Sequence, residues 1–75
     1  GHVNSIKYIE HILDLFPIET FKEKQIKRFE MAYVAESYYG DTLSFYREEV
    51  GENEFDIEVM KNNQEVVVRS KVIFK

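Results

Sequence analysis

The sequence predicts an α+β domain in which one long helix packs on a four-stranded antiparallel meander sheet. Three observations predict it. Apolar residues recur at helical spacing near the start of the chain and alternate with polar ones over most of the rest, and short turn-forming clusters separate the alternating stretches.

The helix comes first. Asn4 or Ser5 is placed to cap it, because a short polar side chain there can accept a hydrogen bond from an unpaired N–H of the first turn. Ile6, Ile9, Ile12, Leu13 and Phe16 then make one apolar stripe, with Lys7, Glu10, His11 and Asp14 on the other side. Pro17 stops the helix, since it lacks an N–H and its ring collides with the preceding turn. Residues 18 to 24 offer one further helical turn, anchored by Ile18 and Phe21.

The period then changes to two. Phe29, Met31, Tyr33 and Ala35 alternate with neighbours that run to Glu36, a long first strand. Gly40-Asp41 marks a turn, and Leu43, Phe45 and Arg47 share one face of a second strand. Gly51-Glu52-Asn53 breaks it, and Phe55, Ile57 and Val59 define a third strand with Asp56 and Glu58 towards water. Asn62-Asn63 suits a tight hairpin because asparagine tolerates positive φ. The run Glu65 to Phe74, rich in Val and Ile, is the fourth strand. Short connections favour antiparallel neighbours, hence the meander.

At 75 residues the chain forms at most one domain, small enough that its own core supplies marginal stability. It has no cysteine, which excludes disulfides and thiolate metal sites and fits a reducing, cytoplasmic compartment. His2 and His11 are too few for a histidine-rich metal centre, so no metal or other cofactor is expected. A net charge of −4 argues against nucleic acid as the main partner. No apolar run approaches the length of a membrane span, and no signal peptide is evident.

The stretch His2-Val3-Asn4-Ser5-Ile6-Lys7-Tyr8 resembles the opening of the central helix in acyl-acyl-carrier-protein (acyl-ACP) thioesterases, where the pattern is Asp-x-Asn-x-His-Val-Asn-Asn-x-x-Tyr. The likeness continues in register through Ile12-Leu13-Asp14, Pro17, the turn from Glu19 to Lys24, and Tyr33-Val34-Ala35-Glu36-Ser37 to Gly40-Asp41. No single piece is decisive; the combination at matching spacings carries the resemblance. It implies a hot-dog fold, a long helix wrapped by an antiparallel sheet, with two such domains per chain and the catalytic residues in the second. Two departures stand out. The Asp-x-Asn of the motif and the first strand of the fold would lie ahead of Gly1, so a partial hot-dog domain is expected over residues 1–75. Ser37 stands where the family often has cysteine, which leaves only a water-activating mechanism.

By the resemblance, His2 and Glu36 are the catalytic pair and Asn4 orients or caps. Thioester hydrolysis needs an activated nucleophile and donors for the oxyanion that develops on the carbonyl. Glu36 suits the general base, His2 can bond the water or the thioester, and the first-turn N–H groups of the helix offer an oxyanion site. Read as isolated residues, a histidine beside a chain terminus and a glutamate on a strand are ordinarily solvated, Asn4 is ordinarily a cap, and Tyr8 and Tyr33 ordinarily pack. Lys22, Lys24, Lys27 and Arg28 form a basic stretch that could steer an acidic carrier protein, although a solvated, charge-rich turn accounts for it more simply.

The expected function is therefore hydrolysis of acyl-ACP in fatty acid biosynthesis, with an acyl carrier protein bearing its fatty acyl chain as partner. The alternatives are a non-catalytic hot-dog fragment serving as a dimerisation or binding module, and a truncated copy without activity. Open sheet edges predict self-association, most simply as a dimer.

Overall fold

The structure, a computed structural model, describes residues 5–75. In chain order its elements are α1 (Ser5–Leu13), α2 (Ile18–Glu23), β1 (Ile26–Tyr33), β2 (Leu43–Gly51), β3 (Glu54–Lys61) and β4 (Glu65–Phe74). His2 and the expected cap at Asn4 or the Ser5 side chain lie outside what is described. None of the described helices is long and apolar enough to cross a membrane.

The expected long helix is short. α1 has 9 residues, and its last α-type bond runs from Asp14 N–H to Glu10 C=O. Leu15 and Phe16 then bond three residues back, to Ile12 and Leu13. Pro17 explains the change, because its ring crowds the carbonyl four residues earlier, that of Leu13, and disfavours helical backbone at Phe16. The buried stripe also differs from the expected one. Tyr8, Ile12 and Phe16 are buried at i, i+4 spacing, whereas Ile6 is 59% exposed and Ile9 and Leu13 are half-buried. Several apolar stripes were available on this helix, and the sheet selects the one that ends on Phe16.

The four strands form one antiparallel sheet in the order β1-β4-β3-β2. Only β2, β3 and β4 make a meander; β1 pairs with β4, from Ile26↔Phe74 to Tyr33↔Val68, so β1 and β2 occupy opposite edges. This corrects the simple meander. The reason is the length of the connection: residues 34–42 are long enough to cross β4 and β3, a span of roughly 14 Å, where a hairpin would use far fewer. The first strand also stops three residues short of Glu36. The β3–β4 register shifts between Val59↔Val68 and Met60↔Val66, leaving Val67 as an extra residue. Its carbonyl accepts the N–H groups of both Val34 (2.8 Å) and Ala35 (3.3 Å), which turns the chain out of the ladder.

The core lies between α1 and one face of the sheet. Tyr8, Ile12 and Phe16 pack with Ile57, Val59, Val67, Val68, Val72 and Phe74, flanked by Phe29, Met31, Phe45 and Phe55. Phe16 meets Phe55 and Phe74 edge to face at 5.0 and 5.2 Å, a favoured aromatic geometry. Arg47, on the same face of β2, sets its guanidinium 5.2 Å from the Phe16 ring centre and donates to the Leu15 carbonyl at 2.8 Å. It thereby holds the last turn of the helix to the sheet. The opposite face carries charge, with Lys71 bridging Glu54 and Asp56 and Arg69 meeting Glu58. Asn53, Asn62 and Asn63 all have positive φ, so the expected asparagine hairpin forms at Asn62-Asn63, where Gln64 N–H closes on Lys61 C=O at 3.0 Å.

Candidate active site

Glu36 sits in the connection after β1 rather than on the strand expected to carry it. Its neighbour Ser37 is buried, and the Ser37 hydroxyl is in short hydrogen-bond contact with the phenol of Tyr8, itself buried in the first half of α1. The Tyr8 ring also meets Tyr33 edge to face at 5.9 Å. These contacts pin the connection across the beginning of the helix. Glu36, one residue from Ser37, is thus held beside the first turns of α1, the end towards which the helix dipole is positive.

Glu36 is fixed from two directions. The Tyr38 hydroxyl donates to Glu36 Oε2 at 2.9 Å, and Lys61 Nζ, from the end of β3, donates to the Glu36 carbonyl at 2.8 Å. The same ammonium lies 3.3 Å from Glu65 Oε1. Tyr38 is placed by a closed turn: its N–H donates to Asp41 Oδ2 at 2.9 Å while Asp41 N–H returns to the Tyr38 carbonyl at 2.9 Å. Asn62, in the β3–β4 hairpin, bonds Thr42 through backbone and side chain and reaches Asp41 Oδ1 at 3.3 Å. A hairpin tip, a turn and a strand end therefore converge on the segment that bears Glu36.

The electrostatics follow this geometry. Donation to the Glu36 carboxylate, and then its negative charge, raise the Tyr38 phenol above its ordinary value. The backbone N–H of Tyr38 holds the Asp41 carboxyl below the usual carboxylate range, with Asn62 adding to the effect.

Of the residues expected at the site, Glu36 is the one described; the sequence signal missed Tyr38, Lys61 and the Tyr8–Ser37 contact. Tyr38 lay two residues from Glu36, where an alternating strand would have placed both on one face. Lys61 had no local signal, because its approach depends on the strand order. The basic stretch lies at the other end of β1 from Glu36. There Lys24 donates to Asn53 Oδ1 and Arg28 pairs with Glu30. A concavity of about 640 Å³ opens on the charged face of the sheet, lined by Glu48, Asp56, Glu58, Arg69 and Lys71 among others, and includes neither Glu36 nor any residue of α1.

The model of the acyl-ACP thioesterase C-terminal domain matches residues 1–75. The chain belongs to the acyl-ACP thioesterase family. Among solved structures, an acyl-ACP thioesterase from Bacteroides thetaiotaomicron VPI-5482 is 73% identical with a TM-score of 0.95, over 100% of this chain and 31% of that one. A 12:0-ACP thioesterase from Umbellularia californica aligns at 19% identity and a TM-score of 0.79, over 99% of this chain and 29% of that one. A thioesterase from Thermus thermophilus, complexed with coenzyme A and Zn, aligns at 19% identity and a TM-score of 0.63, over 99% of this chain and 65% of that one. The last two show the fold: a hot-dog-like arrangement shared with other thioesterases. The chain thus spans about a third of the length of the first two relatives. A search of curated proteins gave no significant match.

Proposed function

We propose that this chain carries the catalytic residues of an acyl-ACP thioesterase, with Glu36 as general base, His2 as its partner and Asn4 orienting the site. The observation that carries the reading is the Tyr8–Ser37 contact, which fastens the residue beside Glu36 to the early part of α1. Asn4 and His2 stand only four and six residues before Tyr8 in the sequence, a short length of chain from the helix that Ser37 is fastened to.

In the proposed reaction Glu36 takes a proton from water as its oxygen attacks the thioester carbonyl. The oxyanion that forms is met by N–H groups at the start of α1. Collapse breaks the carbon–sulfur bond, and the thiolate leaves with a proton returned by Glu36 or His2. The products are the free fatty acid and the carrier thiol, with one water consumed. Ser37 fits a supporting role here, because its hydroxyl is buried against Tyr8. A buried hydroxyl already bonded to a phenol is a poor nucleophile.

Release of carrier thiol from a long-chain acyl-ACP by the full chain tests this reading. Turnover that falls on His2→Ala and on Glu36→Ala supports it, and the absence of turnover by the folded wild-type chain would sink it. A second function, self-association, is supported by the exposure of Ile6, Tyr33 and Val34 and by the edge positions of β1 and β2 among the described residues.

A further inference from the structure

The geometry points to Tyr38 and Lys61 as positioning residues for Glu36: Tyr38 orients the carboxylate and Lys61 fixes the backbone that bears it. This inference rests on the reading of Glu36 as the general base. Its basis is a set of bonds that the catalytic motif does not include.

Glu36 lies in an irregular, exposed connection, where a side chain would ordinarily sample several rotamers. A base must be held within hydrogen-bond reach of the proton it removes. Two anchors supply that here. The phenol at 2.9 Å fixes Oε2, and the ammonium at 2.8 Å fixes the main chain. A carboxylate can accept several hydrogen bonds at once, so a bond to Oε2 orients the group without consuming it. Lys61 is itself constrained, since Glu65 on β4 holds the same nitrogen and Leu43 on β2 faces it across the ladder. Tyr38 is constrained by the Asp41 turn, which Asn62 ties to the β3–β4 hairpin. The chain of contacts thus runs from a rigid hairpin to the reacting carboxylate.

Among the described residues, the charged and titratable groups facing the phenol include Glu36, Lys61 and Asp41. The bond to Glu36 raises the phenol, Asp41 adds to this, and Lys61 opposes it. By the same bond, donation from Tyr38 favours the ionised carboxylate, so its removal makes Glu36 harder to ionise.

The test follows the phenol and the activity separately in the full chain. Tyrosine labelled with carbon-13 at Cζ gives each phenol its own titration, with the Tyr38 signal assigned by its loss in Tyr38→Phe. Glu36→Gln is expected to shift the Tyr38 titration downward, whether or not the protein is a thioesterase; an unmoved titration overturns the inference. On acyl-ACP, Tyr38→Phe is expected to lower kcat about tenfold with little change in KM, and to move the acid limb of the pH profile to higher pH. Tyr39→Phe, next to it and exposed, is expected to leave both unchanged. Lys61→Met is expected to reduce kcat, with Lys61→Arg restoring part of it. An unmoved pH profile in Tyr38→Phe, with turnover otherwise dependent on Glu36, overturns the positioning role while leaving the base assignment standing. A phenol shift without any effect of Glu36→Gln on turnover overturns the base assignment, and the positioning role with it.

Discussion

Glu36 illustrates how far one carboxylate is shaped by residues distant in sequence. The family resemblance nominates it from the sequence, yet its surroundings were not legible there, because Lys61 reaches it only through the strand order. The Tyr8–Ser37 contact was equally hidden; the sequence shows a tyrosine on a helix and a serine in place of a cysteine, and nothing that joins them. Removing either partner leaves a buried hydroxyl without its mate. Tyr8→Phe is therefore expected to destabilise the protein by about 1 to 2 kcal/mol, read by urea denaturation, and Tyr8→Phe combined with Ser37→Ala by less than the sum. Asp41 gives a prediction in pH. Its folded-state carboxyl is held below the unfolded value, so its contribution is present above the unfolded value and is lost as pH falls through the folded one. Thermal melts between pH 5 and pH 2, about the range where a carboxylate titrates, are expected to show a shallower acid loss in Asp41→Asn than in wild type.

At the scale of elements, the strands were the most legible part. β4 runs from Glu65 to Phe74 as its composition indicates, and the asparagine hairpin forms where positive φ is tolerated. What local pattern could not give was partnership. The pairing of β1 with β4 is decided by the reach of residues 34–42 and by burial of Val68 and Val72, both non-local facts. The helix was legible in its place before Pro17, but neither in its length nor in the face it buries, since Ile6, Ile9 and Leu13 compete with Tyr8, Ile12 and Phe16. The structure predicts the consequence. Ile12→Ala is expected to cost about 2 to 5 kcal/mol in urea unfolding, and Ile6→Ala well under about 1 kcal/mol, an ordering opposite to one in which Ile6 lies in the core. Arg47→Ala, which removes the bond to Leu15 and the stacking on Phe16, is expected to cost about 1 kcal/mol.

At the scale of the molecule, α1 and four strands bury a small core, α2 adds no buried residue to it, and several large apolar side chains are left in water. The chain also matches under a third of a 73% identical relative. We expect it to associate by itself: sedimentation at micromolar concentration should show a dimer, and a stable monomer with both sheet edges open would contradict the role given to those edges. The central claim, that Glu36 activates water and Ser37 only supports it, is tested most directly by measuring release of carrier thiol from long-chain acyl-ACP by Glu36→Gln and Ser37→Ala in the full chain. The account predicts a loss of roughly 100-fold or more in kcat for Glu36→Gln, the scale of a general base, and only a few-fold loss for Ser37→Ala. The reverse order, with Ser37→Ala inactive and Glu36→Gln near wild type, would contradict it.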